Sequence, residues 1–484
     1  MRSPEVASSR GPVRQNLVLG ICCMSVLLIA MDVTIVNVAL PAIQHDMQAS
    51  LSGLQWIIDA YTLVIASLLM LSGSMSDRFG RRRVFQIGLT LFVAGSLLCS
   101  LAHTIDQLVA YRALQGLGAS MLNPVALSIV ANVFTEPRAR AKAVGVWGAV
   151  AGLALALGPL LGGALTQAVG WRSIFWINVP IGIAAVILAT VYVPESKAAQ
   201  ARAFDPVGQA LVFVGLTTLT YAVIEGPHSG WTSTRILTLF AVAGLSFASF
   251  VFYEPRREEP LVDLRFFRSV PFSSATILAL CSFACFAGFL FLNALYLQRV
   301  RGFSAFATGL CTLPLAIAMT ISAPLSGRMV GHYGTRPPVL IAGVGLMASI
   351  LMLTGLSPTT PLWLLLLSYA CFGVGLGMVN PAITNSAVAG MPLAQAGVAA
   401  AVASTSRQTG AALGVAAAGS VVAAGRAVGI EFSRATHPIW WAMTACGGIV
   451  LLLGWLSNTS WARSSAGHVA DLLTGSHPAT ATRA

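Results

Sequence analysis

The sequence predicts an all-α integral membrane protein in which two related six-helix bundles are accompanied by two inserted helices. Three observations lead to this fold class. Hydrophobic residues make up 56% of the 484 residues and charged residues only 9%, so there are too few polar side chains to cover a soluble domain. Apolar segments of about 20 residues, long enough to cross a bilayer core of about 30 Å, recur along almost the whole chain. Two motifs of the first half also return in the second half.

Fourteen apolar segments, numbered here as spans 1 to 14, are expected to form transmembrane helices. Span 1 is too long for a signal-peptide core and contains Asp32, so we expect it to be retained as a helix. The predicted ranges are 17–40, 54–73, 84–102, 108–131, 143–165, 173–193, 206–225, 235–253, 272–297, 305–325, 338–356, 362–389, 397–424 and 438–456.

The distribution of basic residues predicts that both termini are cytoplasmic. With the N-terminus inside, inner segments hold 20 of the 28 Lys and Arg residues and outer loops hold six, while Arg112 and Arg407 lie within spans. This bias follows the positive-inside rule. The net charge of +12 then matches an anionic inner leaflet, so we expect a multi-pass protein of the cell membrane that contacts the lipid bilayer and no nucleic acid.

An internal repeat relates the two halves of the chain. The loop after span 2, GSMSDRFGRRR, and the loop after span 10, GRMVGHYGTRP, match at an offset of 254 residues, and GLGASMLNP in span 4 matches GVGLGMVNP in span 12 at an offset of 257. Spans 1 to 6 then correspond to spans 9 to 14, and spans 7 and 8 are inserted. The predicted organisation is a cytoplasmic segment 1–16, a bundle 17–193, two linker helices 206–253, a second bundle 272–456 and a disordered cytoplasmic tail 457–484.

Parallel repeats of this kind are typical of secondary transporters, in which two bundles rock about a central cavity. The repeat is degenerate where charge is concerned, because Asp77 is matched by Gly331 and Arg112 by Tyr369. We therefore expect the ionisable chemistry to lie in the first bundle.

Asp32 is the leading functional candidate. It lies about 22 Å along an otherwise apolar helix, near mid-membrane. A charged Asp there costs about 2.5–3.5 kcal/mol, and a buried carboxylate can avoid this cost by taking up a proton. Protonation of Asp32 would then be coupled to the side of the membrane, cytoplasmic or external, to which the site opens. The alternative is a packing role, with Asp32 hydrogen-bonded to a neighbouring helix.

A polar stripe on span 2 supplies further candidates. Gln55, Asp59 and Thr62 follow one another at spacings of four and three residues, so they share a helix face near the outer end of the span. This stripe could line an outward cavity, with Asp59 as a second residue of proton coupling. It could equally be an interfacial cap beside Trp56.

Arg112 shares a face of span 4 with Gln115 and Asn123, which predicts that this face looks inward. The alternative is that Arg112, close to a membrane boundary, extends its long side chain to the surface. Three more polar residues are cavity candidates, although Glu225 could also be an interfacial residue: Glu225, Asn380 and Arg407.

Span 5 carries GAVAGLALALGPLLGG, in which small residues allow close helix approach and a proline permits bending. Ordinary tight packing is the alternative. The residues concerned are Gly148, Gly152, Gly158, Pro159, Gly162 and Gly163.

The loop after span 2 is a candidate cytoplasmic gate. Asp77 can accept hydrogen bonds from backbone amides at a helix N-terminus or pair with nearby arginines, forming a latch that breaks when the bundles rotate. Alternatively, the arginines only anchor the loop at the inner surface. The candidate residues are Gly73, Asp77, Arg78, Gly80 and Arg81.

Several motifs occur in order along the chain: MDVTIVNVALP (31–41), WIIDAY (56–61), GSMSDRFGRRR (73–83), LVAYRALQGLGAS (108–120), GPLLGG (158–163), WRSIFWINVPIG (171–182) and STSRQTGAALG (404–414). With these motifs the sequence resembles the major facilitator superfamily, and within it the fourteen-span drug:proton antiporters of the EmrB/QacA type. The resemblance runs from about Leu17 to Leu456.

The resemblance implies the major facilitator fold and a set of residue roles. Asp32 would contribute to proton coupling, Arg112 would support proton movement, and the loop bearing Asp77 and Arg78 would gate the conformational change. The element at 158–163 would be the motif associated with antiporters. One departure is that spans 8 to 14 contain no acidic residue, whereas some members that handle strongly cationic drugs have one.

The expected function is proton-coupled export of a small amphipathic or aromatic drug-like substrate by a monomer that uses the proton gradient and no cofactor. The alternative is a symporter or facilitator that imports a small nutrient on the same fold. An enzyme is not expected, because the sequence has no G-x-x-x-x-G-K-[ST] motif, no Ser-His-Asp order and no metal cluster.

Overall fold

The computed structural model describes residues 12–197, 205–257, 259–457 and 459–474. The predicted N-terminal segment up to residue 11 and the end of the tail from residue 475 lie outside the described residues. The α-helices are α1 (Pro12–Met47), α2 (Leu51–Phe79), α3 (Arg81–Ser100), α4 (Ile105–Val133), α5 (Pro137–Ala168), α6 (Ser173–Trp176), α7 (Asn178–Tyr192), α8 (Pro206–Ser229), α9 (Thr234–Tyr253), α10 (Val270–Leu295), α11 (Ala305–Cys311), α12 (Leu313–Tyr333), α13 (Arg336–Leu353), α14 (Leu362–Val388), α15 (Leu393–Ala427), α16 (Phe432–Ala435), α17 (His437–Leu456) and α18 (Ser460–Thr474).

The fourteen predicted spans are confirmed as helices that are long and apolar enough to cross a membrane. Span 6 consists of α6 and α7, span 10 of α11 and α12, and span 14 of α16 and α17, while span 9 ends in a π-helical turn at Tyr296–Val300. Most helices extend beyond the predicted apolar segments, because backbone hydrogen bonding continues where hydrophobicity stops. α8, for example, continues past Glu225 and Pro227 to its last residue, Ser229. Gly230, whose φ is 82°, caps its C-terminus.

The prediction of a disordered tail from residue 457 is wrong for residues 460–474, which form α18. Ala462 and Val469 are buried at a spacing of seven residues, so one face of α18 packs against the protein. The Ser465 hydroxyl accepts a hydrogen bond from the Val270 amide at 3.0 Å, and the Leu472 carbonyl accepts one from Arg265 at 3.3 Å. Because the apolar face of α18 is short, the composition of this segment does not distinguish a helix from a disordered polar tail.

The structure divides into two compact units. The first comprises the described residues from 12 to 197 together with 302–310. Within it α1 lies along α5, α2 lies along α4, and α3 packs against α4 and α7. Small residues allow these close contacts: a Cβ added to Gly118 of α4 would lie 2.4 Å from the Phe92 amide nitrogen of α3, so the two backbones touch.

The second unit comprises residues 205–301 and 311 onwards. α10 packs along α15, α12 along α14, and α13 against α14 and α17. The inserted helices α8 and α9 form a hairpin within this unit, and α8 packs against α15, where the Ser420 hydroxyl donates to the Val223 carbonyl.

The internal repeat is visible in the backbone. Gly80 ends α2 with a φ of 110°, and Gly334, its match at the 254-residue offset, ends α12 with a φ of 79°. Both turns need the left-handed region that favours glycine. The same local geometry at matched positions supports the pairing of the two halves.

Candidate functional site

Asp32 is completely buried in α1, and it is held by polar groups from other helices of the first unit. The Arg112 guanidinium on α4 donates through Nη1 to Asp32 Oδ2 at 2.5 Å. Gln115, one turn further along α4, donates through Nε2 to Asp32 Oδ1 at 2.9 Å. Asp32 is therefore paired with a cation and hydrogen-bonded to a neighbouring helix, as its packing alternative expects, while its role in proton coupling stays a prediction.

Arg112 does not extend to the membrane surface, so that alternative is wrong. Only 1% of the residue is exposed. Its Nε donates to the Ile57 carbonyl at 3.0 Å and its Nη1 also donates to Gln115 Oε1 at 2.7 Å. The guanidinium carbon lies 4.1 Å from the centre of the Tyr61 ring, a distance at which a cation interacts with the aromatic face. Arg112 thus links α1, α2 and α4.

Asn178 at the start of α7 completes the surroundings of Asp32. Its Nδ2 lies 3.4 Å from Asp32 Oδ1 and donates to the Ser96 hydroxyl at 3.1 Å, and Ser96 in turn donates to the Phe175 carbonyl at 3.0 Å. Sequence reasoning missed Asn178 as a site residue. The signal was present, because Asn178 lies within the WRSIFWINVPIG stretch that supports the family resemblance.

Asp59 is the second buried carboxylate of the first unit. It is 0% exposed, and neither carboxylate oxygen has a hydrogen-bond partner among the described residues. Gln55 and Thr62 are also buried, with Thr62 bonded to the Ile58 carbonyl at 2.9 Å. The stripe therefore lies inside the protein in this structure and does not form an exposed interfacial cap, while its role as the lining of an outward cavity stays a prediction.

Glycines fix the distance between α1 and α5 beside Asp32. A Cβ at Gly158 would lie 1.9 Å from Thr34 Oγ1, and one at Gly162 would lie 2.8 Å from the Ile35 carbonyl. Pro159 lies inside α5, and its carbonyl would be 2.4 Å from a Cβ at Gly309. The helices can approach only because these side chains are absent.

The remaining small residues of span 5 behave differently. Gly163 lies against the Ala305 carbonyl, which would be 2.4 Å from an added Cβ. Gly148 and Gly152, by contrast, have open space around the position of a Cβ among the described residues. The predicted close approach therefore holds for Gly158, Gly162 and Gly163, and it is wrong for the other two.

The predicted gating loop, residues 73–83, is helical except at Gly80, because α2 continues to Phe79 and α3 begins at Arg81. Arg81 at the start of α3 donates to Asp77 near the end of α2 at 3.0 Å, in a pair that is partly exposed. Gly80 adopts its left-handed conformation with no room for a side chain, because a Cβ would lie 2.7 Å from Glu195 Oε1. Arg78 is exposed and Gly73 has open space around it.

Glu195, which follows α7, contacts the gating loop, and the sequence did not indicate this contact. Its Oε1 accepts a hydrogen bond from the Arg82 amide at 3.1 Å, and its Oε2 lies 3.8 Å from the Arg82 and Arg83 guanidinium groups. Since Glu195 is more than 100 residues from this loop, no local pattern relates them.

The second unit repeats the polar bridge without its charges. Tyr369, the match of Arg112, is buried on α14 and donates to Asn293 of α10 at 2.8 Å. The pair connects these helices as Arg112 and Asp32 connect α4 and α1. The expectation that ionisable chemistry concentrates in the first half agrees with this neutral pair.

The other predicted cavity residues lie apart from that bridge. Arg407 is half-buried and donates to Asn380 and Thr384 at 3.4 Å and to Ser404 at 2.8 Å, so its partners are neutral. Asn123 and Glu225 are half-buried. Within the described part of the chain, no three His, Cys, Asp or Glu side chains gather into a metal-binding group.

Comparisons with known proteins agree with this architecture. Residues 22–415 match the family model described as Major Facilitator Superfamily. The multidrug resistance protein Stp of Mycobacterium tuberculosis is 39% identical over 401 residues, which cover 83% of this chain and 74% of the relative. The methylenomycin A resistance protein of Bacillus subtilis is 34% identical over 444 residues, which cover 89% of this chain and 95% of the relative.

A third relative is the tetracenomycin C resistance and export protein of Streptomyces glaucescens, 36% identical over 401 residues that cover 83% of this chain and 74% of the relative. Among solved structures, a POT family transporter in complex with 5-aminolevulinic acid aligns with a TM-score of 0.68 at 14% identity, covering 91% of this chain and 96% of that chain; this likeness concerns the fold alone. With its spans, its repeat and most of its length matched in this way, the chain is a multi-pass membrane transporter that belongs to the Major Facilitator Superfamily.

Proposed function

We propose that this transporter exports small amphipathic or aromatic drug-like molecules in exchange for protons. The names of the relatives, which include multidrug resistance and antibiotic export proteins, support the substrate class and the direction. The observation that carries the proton coupling is the buried ion pair between Asp32 and Arg112 at 2.5 Å. Because the pair is buried away from water, one proton bound by Asp32 would abolish the ion pair.

The chemistry follows from the contacts of Asp32. While the carboxylate is ionised, it accepts hydrogen bonds from Arg112 and Gln115, and α1 is held to α4. A proton on Asp32 removes the attraction and leaves Arg112 bonded to Gln115 and the Ile57 carbonyl. Because breaking a buried pair costs about 3–5 kcal/mol when one charge is left alone, proton uptake is coupled to a rearrangement of these helices.

The proton gradient supplies an energy similar to the cost of breaking the ion pair. A proton that moves inward through 100 mV supplies about 2.3 kcal/mol, to which any pH difference adds. One or two protons per cycle therefore match the energy of the ion pair. No cofactor is needed, and the proposed transporter carries out no chemical reaction on its cargo.

Asp59 is proposed as the second residue of proton coupling. Its fully buried carboxylate has no partner among the described residues, and an unpaired buried carboxylate is far more stable neutral than ionised. Two residues before it, the Ile57 carbonyl binds Arg112. A change in the charge of Asp59 would therefore act on the same segment of α2 that contacts the ion pair.

The contacts of the 73–83 loop support the proposed gating role. Asp77 and Arg81 join the end of α2 to the start of α3, and Glu195 joins the loop to the chain after α7. These partly exposed pairs are each worth about 0–1 kcal/mol, so they can open and reform during a transport cycle.

The experiment compares resistance and transport in matched variants. Cells that express the wild type should survive higher concentrations of at least one compound in a panel of amphipathic dyes and antibiotics, and Asp32→Asn should lose this resistance when its expression is adjusted to give the same membrane abundance as the wild type. Asp106→Asn is the control, because Asp106 is an exposed acid on α4. An unchanged resistance profile for Asp32→Asn would reject the coupling role of Asp32.

Everted membrane vesicles distinguish exchange from import. A proton antiporter accumulates the compound in acid-inside vesicles and releases protons as it does so, whereas a symporter or facilitator that imports nutrients moves protons and substrate in the same direction or needs no protons. Co-directional movement would overturn the proposed direction.

A further inference from the structure

We infer that Asp205 and Glu254 form a further proton-binding site, separate from Asp32 and Asp59, at the predicted cytoplasmic end of the inserted helices. Asp205 precedes the first turn of α8, and Glu254 follows the last residue of α9. They are 4% and 1% exposed, so this pair of carboxylates is buried although it lies at a helix end. The inference does not depend on the proposed drug export.

The two carboxylates face each other. A Cβ built on Gly208 would lie 2.5 Å from Asp205 Oδ2 and 2.6 Å from Glu254 Oε1, so both oxygens point at the same glycine. Among the described residues neither of these two oxygens receives a hydrogen bond from any donor. Two buried acceptors that face each other without a donor are costly, and one proton placed between them supplies the donor that both lack.

The other oxygen of each carboxylate is already satisfied. Asp205 Oδ1 accepts hydrogen bonds from the Gly208 amide at 3.0 Å and from the Tyr253 hydroxyl at 3.2 Å. Glu254 Oε2 lies 3.4 Å from the Val262 amide, which donates to it. Asp205 therefore receives two hydrogen bonds, whereas Glu254 receives one from the Val262 amide. The proton accordingly belongs on Glu254 Oε1, from which it is donated to Asp205 Oδ2.

No cation stabilises the pair within the described part of the chain. Arg257 lies over the Tyr253 ring with its guanidinium carbon 5.9 Å from the ring centre, and Arg256 donates to the Phe252 carbonyl. On the segment that packs from the other side, Asp263 is paired with Arg265 at 2.7 Å. With no opposite charge in contact among the described residues, two adjacent carboxylates cannot both be ionised cheaply, so we infer that they hold one proton in common.

The site joins three parts of the second unit. Asp205 caps α8, Glu254 ends α9, and Val262 lies on the segment that leads to α10. Loss of the shared proton places two negative charges in contact and removes the hydrogen bond that joins Asp205 before α8 to Glu254 after α9. Alkalinisation of the cytoplasm would thus loosen the contact between the two inserted helices at this end, while the Val262 amide still binds the ionised Glu254.

The test is infrared titration of the full-length protein in lipid, in the carbonyl stretching region of protonated carboxylic acids. The wild type should show a protonated-carboxyl band that disappears as the pH rises and that is missing from Glu254→Gln at every pH. Glu431→Gln, which changes an exposed acid of the same unit, should retain the band. Bands from Asp32 and Asp59 are common to all three proteins and cancel in the difference spectra.

Asp205→Asn separates a shared proton from simple burial of Glu254. Asparagine caps a helix about as well as aspartate, so α8 should be preserved, and removal of the neighbouring charge should let Glu254 ionise at a lower pH. The band should therefore disappear at least one pH unit earlier than in the wild type. Identical spectra for the wild type and Glu254→Gln, or an unmoved titration in Asp205→Asn, would overturn the site. Because Asp205→Asn keeps both Glu254 and the cap, it also tests the inference if Glu254→Gln does not fold.

Discussion

Removal of Arg112 should destabilise the protein far more than removal of any surface charge. In Arg112→Gln the Asp32 carboxylate loses the one cation that pairs with it among the described residues, and the Gln115 and Ile57 oxygens lose a donor. An orphaned buried charge costs about 3–5 kcal/mol. For a unit of this size each kcal/mol lowers the melting temperature by about 2–4 °C, so the expected decrease is roughly 6–20 °C.

A double-mutant cycle isolates the ion pair from the other losses. Asp32→Asn alone strands the Arg112 cation and should cost a similar amount, whereas the double variant removes both charges and should melt above either single variant. The exposed pair of Arg172 and Asp46, at 2.8 Å, is the control. Because surface pairs contribute about 0–1 kcal/mol, Arg172→Gln should shift the melting temperature by only a few degrees.

The assay is thermal unfolding of purified protein in one detergent, followed by intrinsic fluorescence and by loss of the monodisperse peak. Strict additivity, with the double variant losing as much as the two single variants together, would refute the view that Asp32 and Arg112 stabilise each other as a buried pair. So would a loss for Arg112→Gln no larger than that of Arg172→Gln.

Three further changes test other parts of the structure. Gly158→Ala should lower the melting temperature and impair transport, because overpacking a close helix contact costs about 1–3 kcal/mol. Gly152→Ala, whose added Cβ would lie in open space, should be neutral or stabilise the protein by up to about 1 kcal/mol. Equal effects of the two changes in melting assays would contradict the packing argument. Tyr369→Phe should lower the stability by about 1–3 kcal/mol, because the buried Asn293 oxygen loses its donor. Proton-driven transport in vesicles should continue. Loss of proton coupling in this variant would contradict the assignment of the coupling residues to the first unit. Glu195→Gln should change stability by less than about 1 kcal/mol yet alter the transport rate, and an unchanged rate would argue against a gating role.

The sequence was informative wherever the physical rule is local. Hydrophobic length predicted all fourteen spans, and helical spacing placed Arg112 and Gln115 on one inward face, where both contact Asp32. Small residues at Gly158 and Gly162 correctly indicated a close helix contact. Each of these inferences needs only the periodicity of one helix or the solvation of one residue.

What the sequence could not supply is which helix faces which. Asn178 reaches Asp32 from 146 residues away, and Glu195 reaches the gating loop across more than 100 residues. Gly152 and Gly158 look alike by composition, yet among the described residues only an added Cβ at Gly158 would meet atoms of another helix within 4 Å. The pairing of Asp32 with Arg112 escaped sequence reasoning for the same reason, since the cation lies on another helix.

The buried ion pair also has a consequence for how the chain is made. Asp32 enters the bilayer on α1, 80 residues before Arg112 arrives on α4, and at synthesis rates of about 5–20 residues per second that interval lasts about 4–16 seconds. Until then each helix carries an unmatched charge that costs about 2.5–3.5 kcal/mol to insert. The ion pair of the first unit can therefore form only when the fourth span has left the ribosome, and until then α1 is a stage at which quality-control proteases would meet an unmatched charge.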